Sequence, residues 1–71
     1  MERIRMIIEN LEEKETQDKV RSQLENVIGV KRVDLSAGQN YVDINMSEET
    51  SSAEIHNHLQ NNGYKVTDVI K

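Results

Sequence analysis

Apolar residues recur along this chain with two different periods, and the order in which those periods alternate predicts its elements. Over residues 3–9, Ile4, Met6 and Ile8 fall on one side of a period-2 pattern, with Arg3, Arg5 and Ile7 on the other, as in a half-buried strand. A polar, acidic stretch covers 10–16. Val20, Leu24 and Val27 then recur at helical spacing ahead of Gly29, which predicts a helix from about Thr16 to Ile28, with Thr16 as N-cap and Gly29 as its left-handed stop. Val30, Val33 and Leu35 predict a second strand, and Tyr41-Val42-Asp43-Ile44-Asn45-Met46 alternates as a third, joined to it by a hairpin over 36–40. Ser51-x-x-Glu54 has the form of a capping box, Ile55 and Leu59 lie four apart behind it, and Gly63 stops the second helix. Tyr64, Val66 and the Val69-Ile70 pair predict a closing strand whose register the pattern leaves open.

The order is therefore β-α-β-β-α-β, and it repeats internally: each half sets a helix before a glycine, and Gly29 and Gly63 stand 34 positions apart. This is the α+β, ferredoxin-like sandwich, a split βαβ arrangement. Each βαβ unit should be right-handed, giving a four-stranded antiparallel sheet with both helices on one face. Arg5, Asp34, Tyr41, Asp43 and Lys65 are then expected on the open face or at the edges.

Composition narrows the picture. The 71 residues make one domain, 1–71, too small for a deep cleft, since a chain of this length buries only about 60% of its unfolded surface. With no Phe or Trp, and Tyr41 and Tyr64 as the sole aromatics, the core must be aliphatic. The absence of cysteine excludes both a disulfide framework and a thiolate metal site. No apolar run approaches the length of a signal peptide or a membrane span, so a cytoplasmic location is expected. A net charge of −4 argues against nucleic acid or an anionic membrane as partner, because both are bound through clustered Lys and Arg. The acidic residues gather as Glu9, Glu12, Glu13, Glu15 and Asp18, which favours a protein partner with a basic face.

Val20, Leu24, Gly29-Val30, Val33, the Tyr41-to-Met46 strand, Ile55, Leu59 and Gly63-Tyr64 together resemble, in kind and spacing, the heavy-metal-associated domain of copper chaperones and metal-transporting ATPases. The likeness spans nearly the whole chain. In that family a Gly-Met-x-Cys-x-x-Cys loop between the first strand and the first helix holds the ion. Counting back from Val20, Asn10-Leu11 fall where Gly-Met would lie, and the two cysteine positions fall on Glu13 and Thr16. A carboxylate and a hydroxyl are hard ligands, poor substitutes for two thiolates around a soft ion such as Cu(I). The resemblance also implies that Tyr64 packs near the loop as a structural cover, and that the loop and first helix form a docking surface.

Other constellations read as structural. Glu12, Glu13 and Glu15 could supply oxygen ligands, yet acidic residues ahead of a helix are ordinary choices beside its dipole. His56 and His58 are two apart on a helix and point to different sides, unlike a chelating i, i+4 pair, and are expected to be solvated. Met6 and Met46 fall at inward strand positions as core fillers. Base-stacking modules of this topology carry strand aromatics flanked by basic residues, whereas here Tyr41 stands near Asp43. No nucleophile, base and orienting group occur at recognisable spacing, so no enzyme is expected. Ligand-binding regulatory domains of this topology, which usually act as dimers, are not excluded, but fold alone does not promote them.

The expectation is a non-catalytic interaction or accessory module with a degenerate metal site at Glu13 and Thr16, no cofactor, and an interaction surface of Glu12, Glu13, Glu15, Thr16 and Tyr64. It should be a monomer or weak dimer. The alternative is metal binding or trafficking through noncysteine ligands or a site shared with a partner.

Overall fold

The computed structural model describes residues 2–71. Its elements follow the expected order: β1 (Glu2–Ile8), α1 (Lys14–Glu25), β2 (Val30–Leu35), β3 (Tyr41–Met46), α2 (Ser52–Asn61) and β4 (Val66–Ile70). The strands form one antiparallel sheet in the order β2-β3-β1-β4. Ile4, Met6 and Ile8 of β1 and Val42, Ile44 and Met46 of β3 point inward and are buried, against Val20 and Leu24 of α1 and Ile55 and Leu59 of α2. Both helices thus cover the same face, closing an aliphatic core as the period-2 and helical patterns require.

The helix ends differ from the sequence expectation in one case and match it in the other. Ser51 is the N-cap of α2, accepting a hydrogen bond from the Glu54 N–H at 3.2 Å. At the far end the Tyr64 N–H bonds to the Leu59 carbonyl and the Gly63 N–H to the Gln60 carbonyl, both at 3.0 Å, with Gly63 at φ +89°. That is a Schellman stop, and it turns Tyr64 back onto the core. Helix α1 starts two residues before the expected Thr16: Glu13 occupies the N-cap position, and no side chain caps the helix there. It also ends at Glu25 rather than Ile28, the last carbonyls being taken by Asn26 and Val27 N–H groups in i to i−3 turns. Gly29 therefore lies beyond the helix. Its positive φ of 101° serves a tight turn whose carbonyl accepts from the Ser47 N–H at 2.8 Å.

The register of β4 is settled by a bulge. Met6 faces Val69 and Ile7 faces Asp68, but Ile8 faces Val66, so Thr67 is the extra residue and its hydroxyl donates to the Ile7 carbonyl at 3.2 Å. The bulge lets both Val66 and Val69 turn inward although they are three apart.

Candidate functional site

The loop between β1 and α1 is held from three directions. At its base the Ile8 N–H donates to the Asn40 carbonyl at 3.0 Å and the Glu9 N–H to the Lys65 carbonyl at 2.9 Å, tying it to the β2–β3 hairpin and to the approach to β4. Asn10 adopts φ 67°, a left-handed conformation that Asn tolerates better than most residues. The chain then dips so that Leu11 is fully buried, and the Glu13 N–H closes the turn on the Asn10 carbonyl at 3.2 Å. Position 10 is thus a left-handed turn residue and position 11 a buried apolar anchor. Gln17 adds a fourth tie: its amide donates to the Ser36 carbonyl at 2.8 Å and the Gln39 carbonyl at 3.4 Å. Sequence reading passed over Gln17, although its place three before Val20 and seven before Leu24 puts it on the buried stripe.

The structure divides the five expected surface residues. Thr16 and Tyr64, both half-buried, line one open depression of about 300 Å³ with Asn10, Lys19, Asn62 and Lys65. Tyr64 shares this depression with Glu9 and Asn10 of the loop. Glu12, Glu13 and Glu15 are exposed and lie outside that depression. The acidic set is also less uniform than its spacing suggests. Glu15 pairs with Lys19 at 3.2 Å, Asp18 with Lys14 at 3.7 Å and Glu9 with Lys65 at 4.0 Å, whereas Glu12 and Glu13 form no ion pair among the described residues. Exposed pairs of this kind add little stability, but they blunt the local field. Within this acidic set the carboxylates outside these pairs are Glu12 and Glu13, beside the α1 N-terminus where the helix dipole favours negative charge.

Among the described residues, no three His, Cys, Asp or Glu side chains converge into a group able to hold a metal ion. The two histidines are half-buried rather than solvated, and they diverge. His58 Nε2 meets Gln23 Oε1 on α1 at 3.0 Å, while His56 Nε2 meets Gln60 Nε2 within α2 at 2.8 Å. Met6 and Met46 are buried core residues. No helix among the described residues is long and apolar enough to cross a membrane.

On the open face of the sheet, Arg5 and Asp43 are direct cross-strand partners. Arg5 donates from Nε to Asp43 Oδ1 at 2.8 Å and from a terminal nitrogen to Oδ2 at 3.1 Å, a bidentate pair, and Arg3 adds a contact to Oδ2 at 3.3 Å. The Arg5 guanidinium also lies 4.0 Å from the Tyr41 ring centroid. Roofed in this way, Asp43 is only 9% exposed although it faces out of the sheet. The hydrogen bonds from Arg5 hold its carboxyl below the usual carboxylate range, against the opposing effect of burial. Tyr41 and the arginines are thus engaged with one another and with Asp43. Lys65, expected with this group, lies in the turn before β4 beside Glu9.

No protein-family model matches the sequence, and a search of curated proteins finds no match. Solved structures do match. A copper-binding domain from HMA7, a P-type ATPase, superposes with a TM-score of 0.87 at 18% identity, covering 100% of this chain and 96% of its own. The CopZ metallochaperone gives 0.80 at 18% identity over 93% of this chain and all of its own. Oxidized MerP from Ralstonia metallidurans CH34 gives 0.80 at 16% identity over 94% and 97%. Near-complete coverage at such low identity means that a common backbone is built here on different side chains. The chain therefore has the ferredoxin-like fold of the heavy-metal-associated domains of copper chaperones and metal-transporting ATPases, and it carries that fold without any cysteine.

Proposed function

We propose that this chain is a heavy-metal-associated-like domain whose metal site is degenerate, and that it acts as a non-catalytic interaction or accessory module through the loop between β1 and α1. The observation that carries this reading is the contrast within the loop. Asn10 is left-handed and Leu11 buried, while the positions that the resemblance assigns to the two cysteines hold a carboxylate at the N-cap of α1 and a half-buried hydroxyl in its first turn. Neither is a soft ligand, and a lone carboxylate with a neutral hydroxyl does not compete for Cu(I).

A loop without soft ligands still presents a shaped surface. Here that surface carries Glu12 and Glu13 without ion-pair partners among the described residues, beside the half-buried Thr16 and Tyr64. A partner with a basic face suits it, and complementary charge of this sort acts mainly on encounter rate and specificity.

Two measurements test the proposal. Titrating Cu(I), Zn(II) and Ni(II) into the chain should leave the amide signals of Glu13 and Thr16 unmoved at stoichiometric metal. Tight binding there would replace this reading with that of a metal carrier using noncysteine ligands. Once a partner is captured, its affinity should fall as salt rises, because exposed charges are screened beyond about 8–10 Å at physiological ionic strength. Glu12→Lys should weaken it too, and indifference to both changes would rule out this docking surface.

A further inference from the structure

An open four-stranded sheet has two edges, each a row of backbone N–H and C=O groups able to pair with another strand, and native proteins must blunt such edges or accept growth of the sheet. The hydrogen-bond directions here identify which residues face outward. The Ile8 N–H bonds toward the hairpin side of β1, and the Ile7 carbonyl accepts from Thr67 on the β4 side. Backbone groups alternate in direction along a strand. The backbone groups of Asp68 and Ile70, opposite Ile7 and Arg5, therefore point toward β1, which leaves the Val69 N–H and C=O on the open edge of β4 while its side chain packs on the core. By the same alternation across β1 and β3, the backbone groups of Asp34 and Arg32 point toward Asp43 and Asn45, and those of Val33 lie on the open edge of β2 while its side chain is buried.

At each of these outward residues one ladder group is already taken by a charged side chain. The Arg21 guanidinium, reaching from α1, donates to the Val33 carbonyl at 3.0 Å. The Asp68 carboxylate accepts from the Val69 N–H at 2.9 Å. A strand docking on either edge would have to displace that bond and leave a charge to be rehoused. The bulges reinforce the effect, since the register shifts next to Lys31 in β2 and at Thr67 in β4 break the regular spacing a new strand needs.

We infer that Arg21 and Asp68 close the two edges of the sheet and hold the chain monomeric, so that association with itself or with a partner by strand addition is blocked. This goes beyond the proposed function, and it is independent of whether the loop binds metal or a partner.

The double variant Arg21→Met and Asp68→Ala tests it directly. One positive and one negative charge are removed together, so the net charge of −4 is unchanged and altered colloidal repulsion does not confound the result. In a sedimentation concentration series the parent should stay at 8.2 kDa, while the folded double variant should rise toward about twice that mass or more. Hydrogen exchange should show new protection at Val33 or Val69 on association. Asp68→Asn, whose amide oxygen can accept the same bond, should remain monomeric. A folded double variant that stays monomeric throughout overturns the inference, as does a parent that associates with protection at Val33 or Val69. Should the double variant not fold, the single change Asp68→Ala on the exposed β4 edge decides: association supports the closure, and a monomer refutes it.

Discussion

Gly29 and Gly63, the pair that marks the internal repeat, should respond very differently to the same substitution. Both have positive φ, 101° and 89°, so alanine at either position is strained, by about 1–2 kcal/mol for an L-residue forced into left-handed backbone. Their surroundings differ. A Cβ on Gly63 would meet nothing within 4 Å, but one on Gly29 would lie 2.9 Å from the Thr50 Cγ2 and 3.0 Å from both its Cβ and its backbone nitrogen. The backbone nitrogen cannot swing aside as the end of a long side chain would. Thr50 itself is buried, and its segment is tied to Gly29 by the Ser47 N–H. Forcing an extra carbon into a packed site costs about 1–3 kcal/mol. Gly29→Ala should therefore exceed Gly63→Ala by about that amount, since the strain terms are common to both. For a domain of this size the difference corresponds to a melting temperature lower by roughly 4–24 °C. Urea unfolding followed by far-UV circular dichroism, with the slope checked for constancy, measures both variants on one scale. Equal losses for the two variants would show that the close approach of Gly29 to Thr50 is not a constraint on the fold.

Leu24, fully buried between α1 and the sheet, should cost about 2–5 kcal/mol on truncation to Ala, and parental melting behaviour would mean that helix α1 is wrongly phased. The Asp43 carboxyl is held below its ordinary range by Arg5, so its stabilising contribution is fully present above the unfolded carboxylate pKa near 3.9 and is lost as pH falls through the lower folded value. The stability gap between the parent and Asp43→Asn should accordingly be widest at neutral pH and close as acid is added below about pH 4; a gap that does not narrow would refute the paired carboxylate. The double change Glu13→Cys and Thr16→Cys places two thiols three residues apart at a helix N-terminus that favours thiolate. It should bind one Cu(I) per chain tightly under reducing conditions, and equally tight binding by the unmodified chain would overturn the degenerate-site reading.

The element order and the inward and outward faces of β1 and β3 were legible in the residue pattern, because alternation and helical recurrence are local properties of the chain. Ser51 as a cap and Gly63 as a stop were legible for the same reason, each acting within one helical turn. The resemblance assigned Asn10-Leu11 to Gly-Met and Glu13 and Thr16 to the two cysteine positions; the structure gives Asn10 left-handed backbone, buries Leu11, and sets Glu13 at the N-cap and Thr16 in the first turn of α1. What pattern could not supply depends on groups distant in sequence. Asp43 reads as an outward, solvated carboxylate until the β1–β3 register sets it against Arg5, 38 residues away. Glu9 reads as part of one negative block until the fold brings Lys65 to it from the far end of the chain. The start of α1 escaped prediction because no side chain caps it, leaving no local mark at Glu13. The register of β4 required a bulge at Thr67, set by what β1 offers across the sheet. The sequence by itself determined which faces must be buried, since removal of apolar surface from water depends on spacing alone; the tertiary structure decided which charges find partners and which edges close, since ion pairs and strand edges depend on distances between residues far apart in the chain.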